Sequence, residues 1–145
     1  MTLQFSPTAL KASKATLAIP NNGNRARRLA IGMHGRGILG RLTHKPTSLN
    51  FHKVPLGSPS APLSVTLTNG NAVPIAIDPV TVAGKEAPEF VPDPSACGAS
   101  VPANQSCSIN VTLTPGKKGA RSATLEITTG GTPRLIKVPL SGVGE

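Results

Sequence analysis

A pattern of residues occurs twice in this chain, about 108 positions apart, and this duplication limits the folds open to the chain. Segment 3–19 reads LQFSPTALKASKATLAI, and segment 111–127 reads VTLTPGKKGARSATLEI. After a turn that is one residue longer in the first copy, segment 27–37 matches segment 134–144, and both end in Gly-x-Gly. A period of this size is that of a whole domain rather than of a solenoid unit.

The duplication predicts the domain organisation. Residues 1–37 are expected to be the C-terminal half of one repeat, 38–46 a linker, and 47–145 a complete repeat that can bury its own core. We therefore expect a piece of a longer tandem array. Segment 1–10 lacks the features of a secretory signal, and no apolar run approaches the roughly 18 residues of a transmembrane helix. If the parent protein is exported, its natural start is expected upstream.

Short apolar runs between closely spaced turn residues predict an all-β chain. Fifteen prolines and fifteen glycines interrupt runs rich in Val, Ile, Leu and Thr, and no helical period persists. In the complete repeat, apolar residues alternate with polar ones, which is the pattern of half-buried strands. We expect an immunoglobulin-like antiparallel β-sandwich of about seven strands, preceded by a partial repeat of three antiparallel strands.

The apolar residues that alternate along these strands form the predicted core. They are Phe51, Leu63, Val65, Leu67, Ile75, Ile77, Phe90, Ile109, Val111, Leu113, Leu125, Ile127, Val138 and Leu140. A strand break is expected at Pro79, and an irregular stretch at 84–106, which holds both cysteines.

The partial repeat is expected to expose an apolar face, because its strands lack an opposing sheet. The positions that would point inward are Leu3, Phe5, Ala15, Leu17, Ile19, Leu29, Ile31 and Met33. Soluble monomers seldom tolerate such a patch. We expect this face to pack on an upstream part of the parent protein, on a second copy of the chain, or on the complete repeat.

The positive charge is concentrated in the first half of the chain. Residues 1–77 carry nine basic residues and no acidic one, which accounts for the whole net charge of +9. Such asymmetry is typical of contact with nucleic acid or another polyanion, and the cluster Arg25, Arg27 and Arg28 is the candidate contact. The simpler interpretation is a solvated hairpin tip and charged strand edges, because no Tyr or Trp is present to stack on bases.

No motif supports an enzyme, a cofactor or a small-molecule ligand. Gly35–Gly40 matches G-x-G-x-x-G, but the residues that follow cannot sustain a helix, and the first acid is Asp78. His34, His44 and His52 are interpreted as isolated surface residues rather than as zinc ligands. No catalytic, cofactor-binding or metal-binding residue is predicted. Taken by themselves, Cys97 and Cys107 could form a disulfide, contribute to a metal site or stay free.

Several segments resemble the bacterial choice-of-anchor D repeat, a relative of the ASH (abnormal spindle and hydin) domains. The matching segments are PTSLNFHKVPLGS at 46–58, SVTLTNGNAVPIAI at 64–77, CGASVPANQSCSINVTLTP at 97–115, and the closing SATLEI and VPLSGVG. The resemblance covers residues 46–144. It implies an immunoglobulin-like sandwich similar to major sperm protein, and a disulfide between Cys97 and Cys107.

The resemblance also implies a function of the structural or interaction class. We expect a module of a larger secreted or cell-surface protein that acts in spacing, adhesion and protein–protein contact, since a disulfide favours an oxidising compartment. Its expected partners are neighbouring repeats, or a second copy bound through the strands of 1–37. The alternatives are polyanion binding by the basic half, and a cytoplasmic scaffold of the ciliary or cytoskeletal ASH type.

Overall fold

The structure, a computed structural model, describes residues 3–4, 12–20, 29–37 and 41–145. The chain divides into two compact units, residues 1–39 and 40–145. The strands are β1 Ala12–Ile19, β2 Leu29–Arg36, β3 Leu42–Lys45, β4 Leu49–Val54, β5 Leu63–Asn69, β6 Ile75–Ala83, β7 Phe90–Asp93, β8 Ser100–Val101, β9 Ser106–Leu113, β10 Gly119–Thr129 and β11 Leu135–Gly144. A single 3₁₀ turn at Ala87–Glu89 precedes β7. Within the described ranges, no helix is long and apolar enough to span a bilayer.

The first unit contains an antiparallel hairpin formed by β1 and β2. Three strands were expected in residues 1–37. The expected first strand, around Leu3–Phe5, falls mostly outside the described residues, and Leu3 and Gln4 are not in a strand. The two described strands pair without a bulge over their whole length, from Ala12 opposite Arg36 to Ile19 opposite Leu29.

The second unit is a sandwich of two sheets. One sheet has the strand order β4-β11-β10-β6-β8, and the other has the order β3-β5-β9-β7. The predicted all-β, immunoglobulin-like sandwich is confirmed, with nine strands in this unit where about seven were expected. All pairs in it are antiparallel except β4 and β11, which run parallel.

The core lies between the two sheets. Of the predicted core residues, all but Leu63 are buried, and Leu63 packs against the core while partly exposed. The rings of Phe51 and Phe90 meet edge to face, with their centroids 5.8 Å apart. The core also contains aliphatic residues outside the prediction, namely Leu42, Leu49, Val54, Val101, Ala123 and Ile136.

Two expectations about strand limits are wrong. The linker predicted at 38–46 includes β3, because Leu42 fills the core and residues 42–45 pair with β5. Pro79 does not break the chain into two strands, since β6 runs from Ile75 to Ala83. The register between β6 and β10 shifts opposite Pro79, and such a bulge accommodates a residue that has no N–H to donate.

The stretch predicted as irregular, 84–106, contains two short strands. β7 pairs with the end of β9, and β8 adds two residues to the edge of β6. Phe90 and Val101 place one buried side chain each in the core from these strands. Strands of two to four residues are too short to show an alternating period, which explains why the pattern did not reveal them.

Candidate interaction surfaces

The hairpin β1–β2 presents an exposed apolar face. Residues at alternate positions point to the same side of a strand pair, so the directly paired residues share a face. The apolar face consists of three such pairs, Ala15–Met33, Leu17–Ile31 and Ile19–Leu29. The exposed fractions of Leu29, Ile31 and Ile19 are 58%, 43% and 39%. Three neighbouring large aliphatic side chains therefore face solvent in this unit.

The opposite face of the same hairpin is basic. Lys14 pairs with His34, and Ala12 pairs with Arg36, which places three nitrogen-bearing side chains at one end of that face. All three are exposed. The residues predicted to form a polyanion contact, Arg25, Arg27 and Arg28, lie outside the described residues. The alternation of residues along β1 and β2 could have predicted the basic face, since the basic residues occupy the positions between the apolar ones.

The edges of the sandwich are poor templates for an added strand. The edge strand β8 has two residues, and β3 has four and is followed by Pro46. In β7, Pro92 removes one donor from the edge. In β4, His52 has a positive φ of 54°, beside the register shift against β11. Short length, proline and bulges are devices that protect edges from pairing with another chain.

A disulfide ties the loop after β7 to the central strand β9. Cys97 and Cys107 are joined, with their Cα atoms 5.0 Å apart, so the disulfide that the resemblance implies is confirmed. The Cys97 N–H donates to the Pro94 carbonyl oxygen, and its side chain is buried in the core. The bond holds β8 and its loop against the sandwich.

A small charged depression lies at the 3₁₀ turn, lined by Lys85, Glu86, Pro88, Glu89, Lys117 and Arg121. Arg121 Nη1 lies 3.6 Å from Glu89 Oε1. Glu89 Oε2 is buried and has no hydrogen-bond partner within the described part of the chain. Mixed charges of this kind form an ion-pair cluster rather than a ligand site for one sign of charge.

The other sequence candidates are the three histidines and the glycine motif. His34, His44 and His52 lie on three different strands, β2, β3 and β4. Gly35 and Arg36 belong to β2, and positions 38–40 of the glycine motif fall outside the described residues. In the ranges that the structure describes, no three His, Cys, Asp or Glu side chains are grouped so that they could hold a metal ion.

A family model described as "ASH: Abnormal spindle-like microcephaly-assoc'd, ASPM-SPD-2-Hydin" matches residues 36–134. The match covers the sandwich from before β3 to the end of β10, and it includes the short strands β7 and β8. No curated protein matches the chain by sequence.

Solved structures share the fold at low sequence identity. The ASH/PapD-like domain of human CEP192 (PapD-like domain 7) has a TM-score of 0.56 and 14% identity, over 77% of this chain and 89% of that chain. A protein of unknown function from Porphyromonas gingivalis W83 has a TM-score of 0.61 and 11% identity, over 95% of this chain and 68% of that chain. A Salmonella enterica SafA pilin complex with the SafB chaperone has a TM-score of 0.53 and 14% identity, over 75% of this chain and 57% of that chain.

Proposed function

The chain belongs to the ASH family, and from this premise we propose that it is a non-enzymatic module whose work is to bind other proteins through its β1–β2 hairpin. The observation that carries the proposal is the exposed apolar face of that hairpin. Contiguous apolar surface of this kind marks interaction sites on soluble proteins. Burying each large aliphatic side chain in a partner would contribute about 1.5–3 kcal/mol before the entropy lost on association is subtracted.

The protected edges of the sandwich support the same choice of surface. Addition of a partner strand needs a long, open edge, and the edge strands of the sandwich are short, bulged or interrupted by proline. The apolar face of the hairpin needs no free edge, because contact through side chains is enough to bury it.

The first test compares lysine substitutions on the two faces of β2 in the full chain. Ile31→Lys places a charge on the apolar face, and its neighbour Ala30→Lys places the same charge on the opposite face. The unsubstituted chain is expected to bind an apolar dye and to associate as its concentration rises. Ile31→Lys should remove most of both signals, and Ala30→Lys should leave them. A chain that binds no dye and stays monomeric at high concentration would contradict the proposal.

We further propose that the module works outside the cytoplasm, as part of a secreted or surface protein that acts in spacing and adhesion. The disulfide Cys97–Cys107 supports this, because such bonds persist in oxidising compartments and are rare in the cytosol. Alkylation and mass spectrometry of the chain from its natural source provide the test. Two alkylatable thiols in the folded protein would favour the alternative, a cytoplasmic scaffold.

Polyanion binding is the second candidate function, and the basic face of the hairpin favours it. Lys14, His34 and Arg36 share that face, in a half of the chain that has no acid before Asp78. Binding driven by phosphates should weaken steeply between about 50 and 200 mM salt. Fluorescence anisotropy with a single-stranded oligonucleotide measures this. Lys14→Gln with Arg36→Gln should weaken such binding, while Ile31→Lys should not.

A further inference from the structure

The hairpin β1–β2 has the same strand register as the hairpin β10–β11 of the sandwich. The apolar pairs hold equivalent places in the duplicated pattern, namely Ala15–Met33, Leu17–Ile31 and Ile19–Leu29 in one hairpin, and Ala123–Leu140, Leu125–Val138 and Ile127–Ile136 in the other. A slip of one residue would have moved every apolar side chain to the other face. The equivalence therefore extends from the residues to the three-dimensional pairing.

The two hairpins differ in what covers them. Leu125, Ile127 and Val138 are fully buried, because β10 and β11 lie under the sheet β3-β5-β9-β7. The equivalents of Ile136 and Val138 are Leu29 and Ile31, and both are exposed. Sequence and register are thus those of a covered hairpin, whereas within the described residues Leu29 and Ile31 are exposed.

Gly35 occupies a position that faces an opposing sheet in the sandwich. It pairs with Ser13 as Gly142 pairs with Arg121, so it holds the place of Gly142. At Gly142 a Cβ would collide with Leu113 of the opposite sheet, and glycine is required there for the sheets to approach. In the duplicated pattern, Gly35 therefore holds the position at which the two sheets of the sandwich approach each other.

The position of Leu3 is a second observation that relates the hairpin to the sandwich. Leu3 lines a groove on the hairpin together with Met33 and Gly35, all within the first unit. In the duplicated pattern, Leu3 holds the place of Val111, which belongs to strand β9 of the covering sheet. The one described apolar side chain from the expected third strand therefore lies in a groove with Gly35, and that groove is also lined by Lys14 and His34.

From these relationships, and resting on the function proposed above, we infer the class of partner that the apolar face accepts. The partner is a four-stranded sheet like β3-β5-β9-β7, supplied by the first half of another repeat of this family, and its docking completes a second sandwich. The inner face of such a sheet is uncharged and aliphatic, as Val65, Leu67, Ile109, Val111 and Leu113 are here. The inner face of the partner sheet is therefore chemically similar to the apolar face of the hairpin, whose paired residues carry no charge.

The test supplies this partner within the full chain. A copy of residues 41–110 is placed directly before Leu3, so that Leu3 follows it as Val111 follows Asn110. Ile31→Cys then reports burial through its rate of maleimide labelling. The extended chain is expected to label at least about 100-fold more slowly than the original chain carrying the same substitution, since labelling then requires local opening.

Two glycine substitutions make the test specific. Gly35→Leu in the extended chain should restore fast labelling, because the added side chain occupies the place of the approaching sheet. Gly32→Leu is the matched control on the opposite face, where the nearest atom to an added Cβ is His34 Nε2 at 3.9 Å, and it should leave the protection intact.

Each other outcome overturns the inference. Equal labelling of the Ile31→Cys thiol in the original and extended chains would show that the hairpin does not accept this sheet. Labelling is measured below the concentration at which the original chain begins to associate. Slow labelling at that dilution, with a doubled mass in sedimentation at the same dilution, would identify a second copy as the occupant. That result would leave the proposed protein-binding function standing.

Discussion

Gly142 of β11 lies against Leu113 of β9, so close that an added Cβ would overlap the Leu113 Cδ2 atom. The same Cβ would lie 3.3 Å from the Phe51 Cβ. Gly142 and Leu113 belong to opposite sheets, so the spacing of the sheets at this point depends on the absence of a side chain at position 142. Interiors packed at this density respond to a single added methyl group.

Gly142→Ala is expected to destabilise the sandwich by about 2–3 kcal/mol, because the methyl group forces Leu113 or the β4 backbone to move. Urea unfolding followed by circular dichroism measures the loss. Gly70→Ala is the control, since no atom lies within 4 Å of a Cβ there. Equal effects of the two substitutions would contradict the packing account.

Asn69 connects the end of β5 to two neighbouring segments. Its side chain is fully buried, and Nδ2 lies 2.8 Å, 3.0 Å and 3.1 Å from the carbonyl oxygens of Val73, Val101 and Pro102. Oδ1 accepts from the Asn71 N–H at 3.0 Å. The amide of Asn69 therefore donates to carbonyl groups of two segments, and the bond to the Val101 carbonyl is buried.

Asn69→Ala should therefore lower the free energy of unfolding by about 2–4 kcal/mol, because several partners, including the buried Val101 carbonyl, lose a bond at once. Asn110→Ala is the matched control. Asn110 accepts one bond from the Ser64 hydroxyl on an exposed surface, and its loss should cost about 1 kcal/mol or less. Thermal unfolding of both variants provides the comparison, and a larger loss at Asn110 would refute this role for Asn69.

The sequence predicted the parts of the fold that depend on period. Leu125, Val138 and their neighbours alternate along strands long enough for the pattern to show, and the duplicated pattern placed the apolar face of the hairpin correctly at Ile31. Burial follows from that alternation in any strand that packs on one face.

Features that depend on distant partners could not be predicted. The hydrogen bonds of the Asn69 side chain to Val101 and Pro102 could not be predicted, because these carbonyl partners lie more than 30 positions away. β3 was assigned to a linker, since four residues show no period and only pairing with β5 makes them a strand. The basic face was missed because its charges are spread over alternate positions of β1 and β2, whereas neighbouring arginines form a visible cluster in the sequence.

Asp93 provides a pH-dependent contact at the end of β7. Hydrogen bonds from the Ser95 hydroxyl and from the Ser95 N–H lower the pKa of the Asp93 carboxyl, and the backbone bond is 3.0 Å long. A lowered pKa in the folded state adds stability above the ordinary carboxyl range. That stability is lost as the pH falls through the lowered pKa.

Ser95→Ala should accordingly raise the pKa of Asp93 part of the way to its ordinary value, since the backbone N–H remains. Ser95→Thr keeps the hydroxyl and should leave the pKa low. Titration of the Asp93 carboxyl by NMR in the three chains checks both expectations. A Ser95→Thr chain that behaves like Ser95→Ala would remove the hydroxyl from the explanation.

The disulfide should contribute to stability through the loop that it closes. Cys97 and Cys107 are 10 positions apart, and closing a loop of this size restricts the unfolded chain by about 2.5–3 kcal/mol. Reduction should therefore shift the urea midpoint downward. Since domains are usually stable by about 5–15 kcal/mol, the reduced sandwich should still fold at low denaturant.

The variant Cys97→Ala with Cys107→Ala separates the bond from other effects of the reductant. The urea midpoint of this variant should not change when the reductant is added. It should lie below the midpoint of the oxidised chain by at least the shift that reduction causes, because Cys97 is also a buried core side chain. If reduction leaves the midpoint of the unsubstituted chain unchanged, the bond does not stabilise the sandwich.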